Sequence, residues 1–280
     1  MLSRREFLTT SAAAVGTAVV GRLAWAEEPY GPFTVGVQSY SFREFDLEQC
    51  LRRTNQLGLH YIEFFSKHAP PDSTPQQIEA IKRMCAEYKI KPVAFGVHGF
   101  SKNHDANKRA FDFGKALGVR FFSADPDPDS FDSLDKLCEE YKIGIAIHPH
   151  GPVGRGLHRW YSAETIMAAV KDRHPLIGAC LDTGHLIRCA QLGKPLDPAE
   201  QVRVMGQRNF GMHLKDHDNE RKTDVILGKG NLNVPALVKA LKDVKFQGWI
   251  SLEYEANPSN PSPDMAACLE VLRQAIKEVS

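Results

Sequence analysis

Four short apolar runs in the C-terminal half of this chain each stop at a histidine or a carboxylate. They are Gly144-Ile145-Ala146-Ile147-His148-Pro149-His150, Ala179-Cys180-Leu181-Asp182-Thr183-Gly184-His185, Phe210-Gly211-Met212-His213-Leu214-Lys215-Asp216 and Trp249-Ile250-Ser251-Leu252-Glu253-Tyr254-Glu255. A buried parallel strand reads as such a run, and the side chains that follow it surface together at one rim of the sheet. That rim is where α/β folds build their sites. His148, Asp182, His213 and Glu253 offer two imidazoles and two carboxylates, a ligand set that suits a divalent ion and balances its charge. One histidine among the chain's eleven carries little information; four strand ends in succession carry much more.

The elements that must position these residues follow from periodicity. Strands are expected at Phe33–Val37, Tyr61–Phe65, Pro92–Val97, Val119–Ser123, Ile143–Ile147, Ile177–Leu181, Asn209–His213 and Trp249–Leu252. Between and after them, helices are expected at Leu47–Leu57, with Asp46 as its cap, and at Pro75–Tyr88, Asp105–Leu117, Ser130–Tyr141, Ala163–Lys171, Pro198–Gly206, Val234–Val244 and Pro263–Val279. This alternation implies parallel strands joined by right-handed crossovers. Eight such units in about 250 residues suit a single α/β domain, a closed (β/α)8 TIM barrel over 33–280. An open doubly wound sheet is the runner-up, and Val37-Gln38-Ser39-Tyr40-Ser41 offers none of the glycine-rich nucleotide turn it would carry.

The full chain has 280 residues, a formal net charge of +1 and 42% hydrophobic residues, enough apolar content for a real core. Near-neutral charge without a long basic run argues against an extended nucleic-acid partner. Residues 1–26 read as a Tat-type signal: Arg4-Arg5, a weakly apolar stretch to Val20, and Ala24-Trp25-Ala26 as the cleavage site. The expectation is an exported, periplasmic protein handled by the Tat machinery, with a linker over 27–32 and no stable membrane anchor. The Tat route carries folded proteins, so a cofactor can be loaded before export. The six cysteines include no CxxC and read mostly as buried small hydrophobes, with a single disulfide permitted by the export compartment.

Taken in order, Leu181-Asp182-Thr183-Gly184-His185, His213-Leu214-Lys215-Asp216, Leu227-Gly228-Lys229-Gly230 and Ser251-Leu252-Glu253-Tyr254-Glu255 resemble the xylose isomerase-like TIM barrels. That superfamily includes sugar isomerases, ketose 3-epimerases, inosose dehydratases and, more distantly, endonuclease IV. In its epimerase-like members the resemblance implies a divalent metal, often manganese, held by Glu, Asp, His and Glu after strands five to eight. Asp182, His213 and Glu253 match position by position, while His148 stands where the resemblance expects glutamate. Manganese is the expected ion, with zinc, cobalt, iron or magnesium as alternatives.

The substitution at His148 bears on the chemistry. A ketose 3-epimerase moves protons with two glutamates on opposite faces of the sugar, and an imidazole bound to metal has no lone pair left to act as a base. One base is still enough for a one-face isomerisation or a β-elimination, because a divalent ion chelated by adjacent sugar oxygens polarises the carbonyl and stabilises the enediolate. Glu253 is the first candidate base and His185 the second; Lys215 is placed to steady a developing oxyanion. His150, Glu63, His98 and Trp160 are candidate substrate contacts, Trp160 as the stacking surface of a glycine-rich lid over 151–160. His150 is also an alternative strand-five ligand.

The reading is therefore an exported, metal-dependent sugar isomerase or epimerase that abstracts a proton next to the carbonyl of an unphosphorylated sugar or glycoside. The first rival is a 3-keto-glycoside lyase or hydrolase on the same site, and the second a non-catalytic sugar-binding barrel. Endonuclease chemistry is disfavoured because Lys222-Thr223-Asp224 stands where that enzyme needs an Asp-x-His ligand pair.

Overall fold

The computed structural model describes residues 29–279. The expected signal at 1–26 lies outside the described residues. Eight strands alternate with helices: β1 Thr34–Gln38, β2 Tyr61–Phe64, β3 Lys91–Phe100, β4 Phe121–Pro126, β5 Gly144–Ile147, β6 Ile177–Asp182, β7 Asn209–Leu214 and β8 Trp249–Leu252. All neighbours pair in parallel, and the sheet closes in the order β1-β8-β7-β6-β5-β4-β3-β2. The chain is thus a closed (β/α)8 barrel.

The outer helices are α1 Leu47–Gln56, α2 Pro75–Glu87, α3 His104–Leu117, α4 Phe131–Tyr141, α5 Ala163–Val170, α6 Thr183–Arg188, α7 Pro198–Met205, α8 Val234–Asp243 and α9 Ser262–Glu278. Local chemistry starts several of them. Asp46, Thr74 and Ser162 each form a capping box with the residue three positions on, and each cap contributes about 1 kcal/mol. Tyr30, expected in the linker, is buried, and its hydroxyl accepts a hydrogen bond from Arg273 of α9.

Side chains alternate along a strand, and alternate positions fill the barrel in layers. At the N-terminal end Phe121, Phe210 and Trp249 form a floor, with the Phe121 and Trp249 rings stacked at 5.1 Å. Gly211 permits it, since a Cβ there would lie 2.5 Å from the Trp249 ring. Small residues Ala94, Ala146 and Cys180 pack with Trp249, and the polar side chains Glu63, Ser123 and Ser251 are bonded together within the barrel.

The long-loop elements depart from expectation. Two hairpins, Pro152–Val153 with Gly156–Leu157 and Asp216–Asp218 with Thr223–Val225, rise above the barrel. Thr183-Gly184 opens a further helix, α6, because the Asp182 side chain caps it by accepting from the His185 N–H at 2.7 Å. The six cysteines are all free and buried, which corrects the allowance for a disulfide. Burial pushes the Cys85 and Cys138 thiols up to about 12. Among the described residues no helix is long and apolar enough to cross a membrane.

Candidate metal centre and substrate cavity

Pairing register brings the four strand-end residues together. Asp182 of β6 lies beside His213 of β7, and His213 lies beside Ser251 of β8. Glu253 extends β8 by donating its N–H to the Leu214 carbonyl, and His148 extends β5 by donating to the carbonyl of Ala124. One donor atom each from His148, Asp182, His213 and Glu253 falls within 4.8 Å of the others, and all four residues are buried. His148 Nε2 is 3.3 Å from Asp182 Oδ2, while His213 Nδ1 is 3.4 Å from Glu253 Oε2 and 3.9 Å from Asp182 Oδ2.

These residues suit a divalent metal. His213 Nδ1 is buried without a hydrogen-bond partner and is aimed at two carboxylates, the position a ligand nitrogen would take beside an ion. Nδ1 of His148 is likewise buried and unpartnered. The donor set of two imidazoles and two carboxylates is typical of zinc, manganese or iron sites.

Lys215 lies against the same cluster. Gly184 makes room for it, since a Cβ there would meet the Lys215 side chain at 2.8 Å. Its ammonium is 3.1 Å from Asp182, 2.9 Å from Glu253 and 2.5 Å from Glu255. Burial alone would lower its pKa, but Asp182, Glu253 and Glu255 outweigh burial and hold it well above the usual lysine value. Lys215 is therefore a fixed cation, suited to steadying negative charge and unsuited to removing a proton. Burial opposes ionisation of Glu253, yet Lys215 and His213 draw its carboxyl well below the usual range. His185 is held well below the usual histidine value, chiefly by burial, and so is neutral at physiological pH. Burial, with His148 and His158 adding to it, takes His150 down to about 3.

A cavity of about 390 Å³ opens above the cluster at the C-terminal mouth. His148, His150, His185, Glu253 and Glu255 line one side, and Gln38, Tyr40, Phe65 and Val97 line the other. The His150 ring is 4.8 Å from both His148 and His185. A second cavity of about 270 Å³ lies at the opposite end, around Phe121, Phe210 and Trp249, and its lining includes no histidine or carboxylate.

Three expected substrate contacts lie elsewhere. Glu63 is fully buried in the barrel lumen beneath His213, because β2 aims it inward among hydrogen-bond donors of β4, β7 and β8. The β3–β4 pairing is irregular between Phe95 and His98, so Val97 reaches the cavity while His98 packs against Phe95, Phe100 and Phe122. Trp160 is buried against Phe131 with its Nε1 donating to the Pro126 carbonyl, and so offers no stacking face. Sequence reasoning missed Gln38, Tyr40, Phe65 and Glu255 as cavity residues. For Gln38 the signal was available, since it ends β1 as the others end their strands.

Parallel strands, a strand-end cluster of metal-ligand type and a part-polar, part-apolar cavity above it together define a (β/α)8 barrel with one candidate site at its C-terminal mouth. The xylose isomerase-like TIM barrel model matches residues 51–275, and the chain belongs to that family. A curated relative, the inosose dehydratase of Clostridium botulinum, is 24% identical over 147 residues, 46% of each chain; the match thus spans about half the length of that relative. A solved Parabacteroides distasonis structure is 29% identical, covers 87% of this chain and 99% of its own, and superposes with a TM-score of 0.68. The 3-keto-D-glucoside 4-epimerase of E. coli, at 15% identity, covers 86% of this chain and 99% of its own with a TM-score of 0.68, a likeness of fold.

Proposed function

We propose that this protein is a metal-dependent sugar-modifying enzyme that removes a proton from the carbon next to a carbonyl, and that it works on unphosphorylated sugars after Tat export to the periplasm. The observation that carries the reading is the convergence of His148, Asp182, His213 and Glu253 beneath the cavity at the C-terminal mouth. His148, Asp182, His213 and Glu253 would hold the ion, which supplies Lewis-acid polarisation of the carbonyl when bound. Glu253 and His185 are the groups placed to carry a proton at the mouth. Lys215 holds Glu253 and Glu255 in place and adds a fixed positive charge where an oxyanion would develop. With His148 on strand five, only one carboxylate ligand borders the cavity, which supports chemistry on one face of the substrate, isomerisation or elimination, over the two-face proton transfer of an epimerisation.

A second reading, elimination from a 3-keto-glycoside, is favoured by the cavity's other wall. Tyr40 and Val97, at 37% and 41% exposure, are among the most exposed large hydrophobics described, and with Phe65 they face the polar side across the cavity. An apolar aglycone would cover them, whereas a small free sugar would leave them wet.

Elemental analysis of the purified protein beside a His148→Ala variant tests the metal. About one divalent ion per chain, reduced in the variant, is the expected result. No ion, and none taken up on reconstitution, would remove the basis of the reading. Screening ketoses against 3-keto-glycosides then separates the two reactions.

A further inference from the structure

We infer that Glu63 is a positioning residue that fixes the orientation and tautomer of His213, so that Nδ1 is the nitrogen offered to the metal. The inference rests on the metal reading above and assigns Glu63 a part in it.

Glu63 sits on β2, across the barrel from β7, and its carboxylate is fully buried. Oε1 accepts from Ser123 Oγ and from His213 Nε2, the latter at 2.9 Å. Oε2 accepts from Trp249 Nε1 and from Ser251 Oγ, each at 2.8 Å. An ionised carboxylate has about four lone-pair sites, and four donors fill them. Glu63 therefore has no electron pair left to serve as a ligand or a base, although Glu63, Cys180 and His213 form a compact group of their own.

The consequence falls on His213. Opposite a carboxylate with no proton to give, Nε2 must carry the hydrogen, so in the neutral ring the lone pair resides on Nδ1. Nδ1 is the atom that lies buried, unpartnered and directed at Asp182 and Glu253. A carboxylate behind a metal-bound imidazole fixes the ring and raises its basicity, and losing such a partner typically costs about 10–100-fold in metal affinity. The indole of Trp249 and the two serines keep the carboxylate itself from turning.

Glu63→Gln removes the charge while nearly preserving shape, and places an amide NH2 among groups that all donate. The test is titration of chelator-treated protein with Mn2+ and Zn2+, wild type beside Glu63→Gln, with long-range 1H–15N spectra of 15N-histidine-labelled zinc forms. The expected result is a metal affinity about 10–100-fold weaker in the variant, with the wild-type His213 signal showing hydrogen on Nε2 and the variant losing that pattern. A purely structural role would lower thermal stability without moving the His213 signal. Should Glu63→Gln fail to fold, Ser251→Ala, which frees one side of the carboxylate, is expected to weaken metal binding several-fold. Equal affinity and an unchanged His213 signal in the variant, with wild type binding metal, would overturn this inference alone. Wild type that binds neither ion would overturn it together with the metal reading.

Discussion

Replacing Lys215 with methionine should destabilise the metal-free protein strongly and make its stability depend on metal. The ammonium is 1% exposed and lies within 3.1 Å of Asp182, Glu253 and Glu255. Removing one partner of a buried ion pair costs roughly 3–5 kcal/mol, because the charges left behind are uncompensated. For a barrel of this size that corresponds to a fall in Tm of about 6–20 °C. A divalent ion would restore the missing positive charge, so added Mn2+ should raise the variant's Tm by more than the wild type's; at 100 times Kd an ion adds about 2.7 kcal/mol to either. The pH dependence follows from signs. The Asp182 and Glu253 carboxyls are depressed in the folded state by Lys215, so their contribution is complete above the ordinary carboxylate range and is lost as the pH falls. Lys215 is raised, so its contribution is complete below the ordinary lysine value and is lost as the pH rises through the higher folded value. The difference between wild type and variant should therefore be largest near neutrality and shrink in acid. Thermal melts by circular dichroism with and without Mn2+, carried from about pH 8 down to about pH 2, measure the metal effect and the acid side of this. A metal-free variant as stable as wild type at pH 7 would refute the electrostatic reasoning.

Other outcomes follow from the same geometry. Asp182→Asn should keep the α6 cap, since asparagine accepts from an N–H as aspartate does, yet lose more metal affinity than the roughly 100-fold at the top of the range for an outer partner; circular dichroism and metal titration together check it. Asp216→Ala should cost roughly 3 kcal/mol, because both oxygens of Asp216 hold the turn at Leu227–Gly230 by accepting from the N–H groups of Gly228, Gly230 and Leu232 at 2.9 Å; chemical denaturation reads it. The six thiols should react with an aromatic disulfide reagent only after denaturation, since all are buried and free. Fast labelling of folded protein would contradict their placement.

Much of the barrel was legible because its signals are local and periodic. Apolar runs such as Ile177–Leu181 and caps such as Asp46 state their own secondary structure, and eight repeats allow few closed topologies. His148, Asp182, His213 and Glu253 could be grouped because each terminates a run and parallel register carries run ends to one rim. What escaped depends on contacts between strands. Nothing near His98 reveals the irregular pairing that aims Val97 inward, and nothing near Glu63 reveals the donors Ser123, Trp249 and Ser251 that hold it in the lumen. Trp160 looked free in a glycine-rich loop, but its indole N–H finds the Pro126 carbonyl. The hairpin strands, two and three residues long, are too short for any pattern to show.

The most direct test of the central claim is deuterium incorporation. Metal-loaded protein incubated in D2O with ketoses and 3-keto-glycosides, followed by NMR, should place deuterium on the carbon next to the carbonyl or release an aglycone. Chelator-treated protein and the Asp182→Asn variant should do neither. Exchange or turnover that proceeds equally well without metal and in the variant would contradict the account.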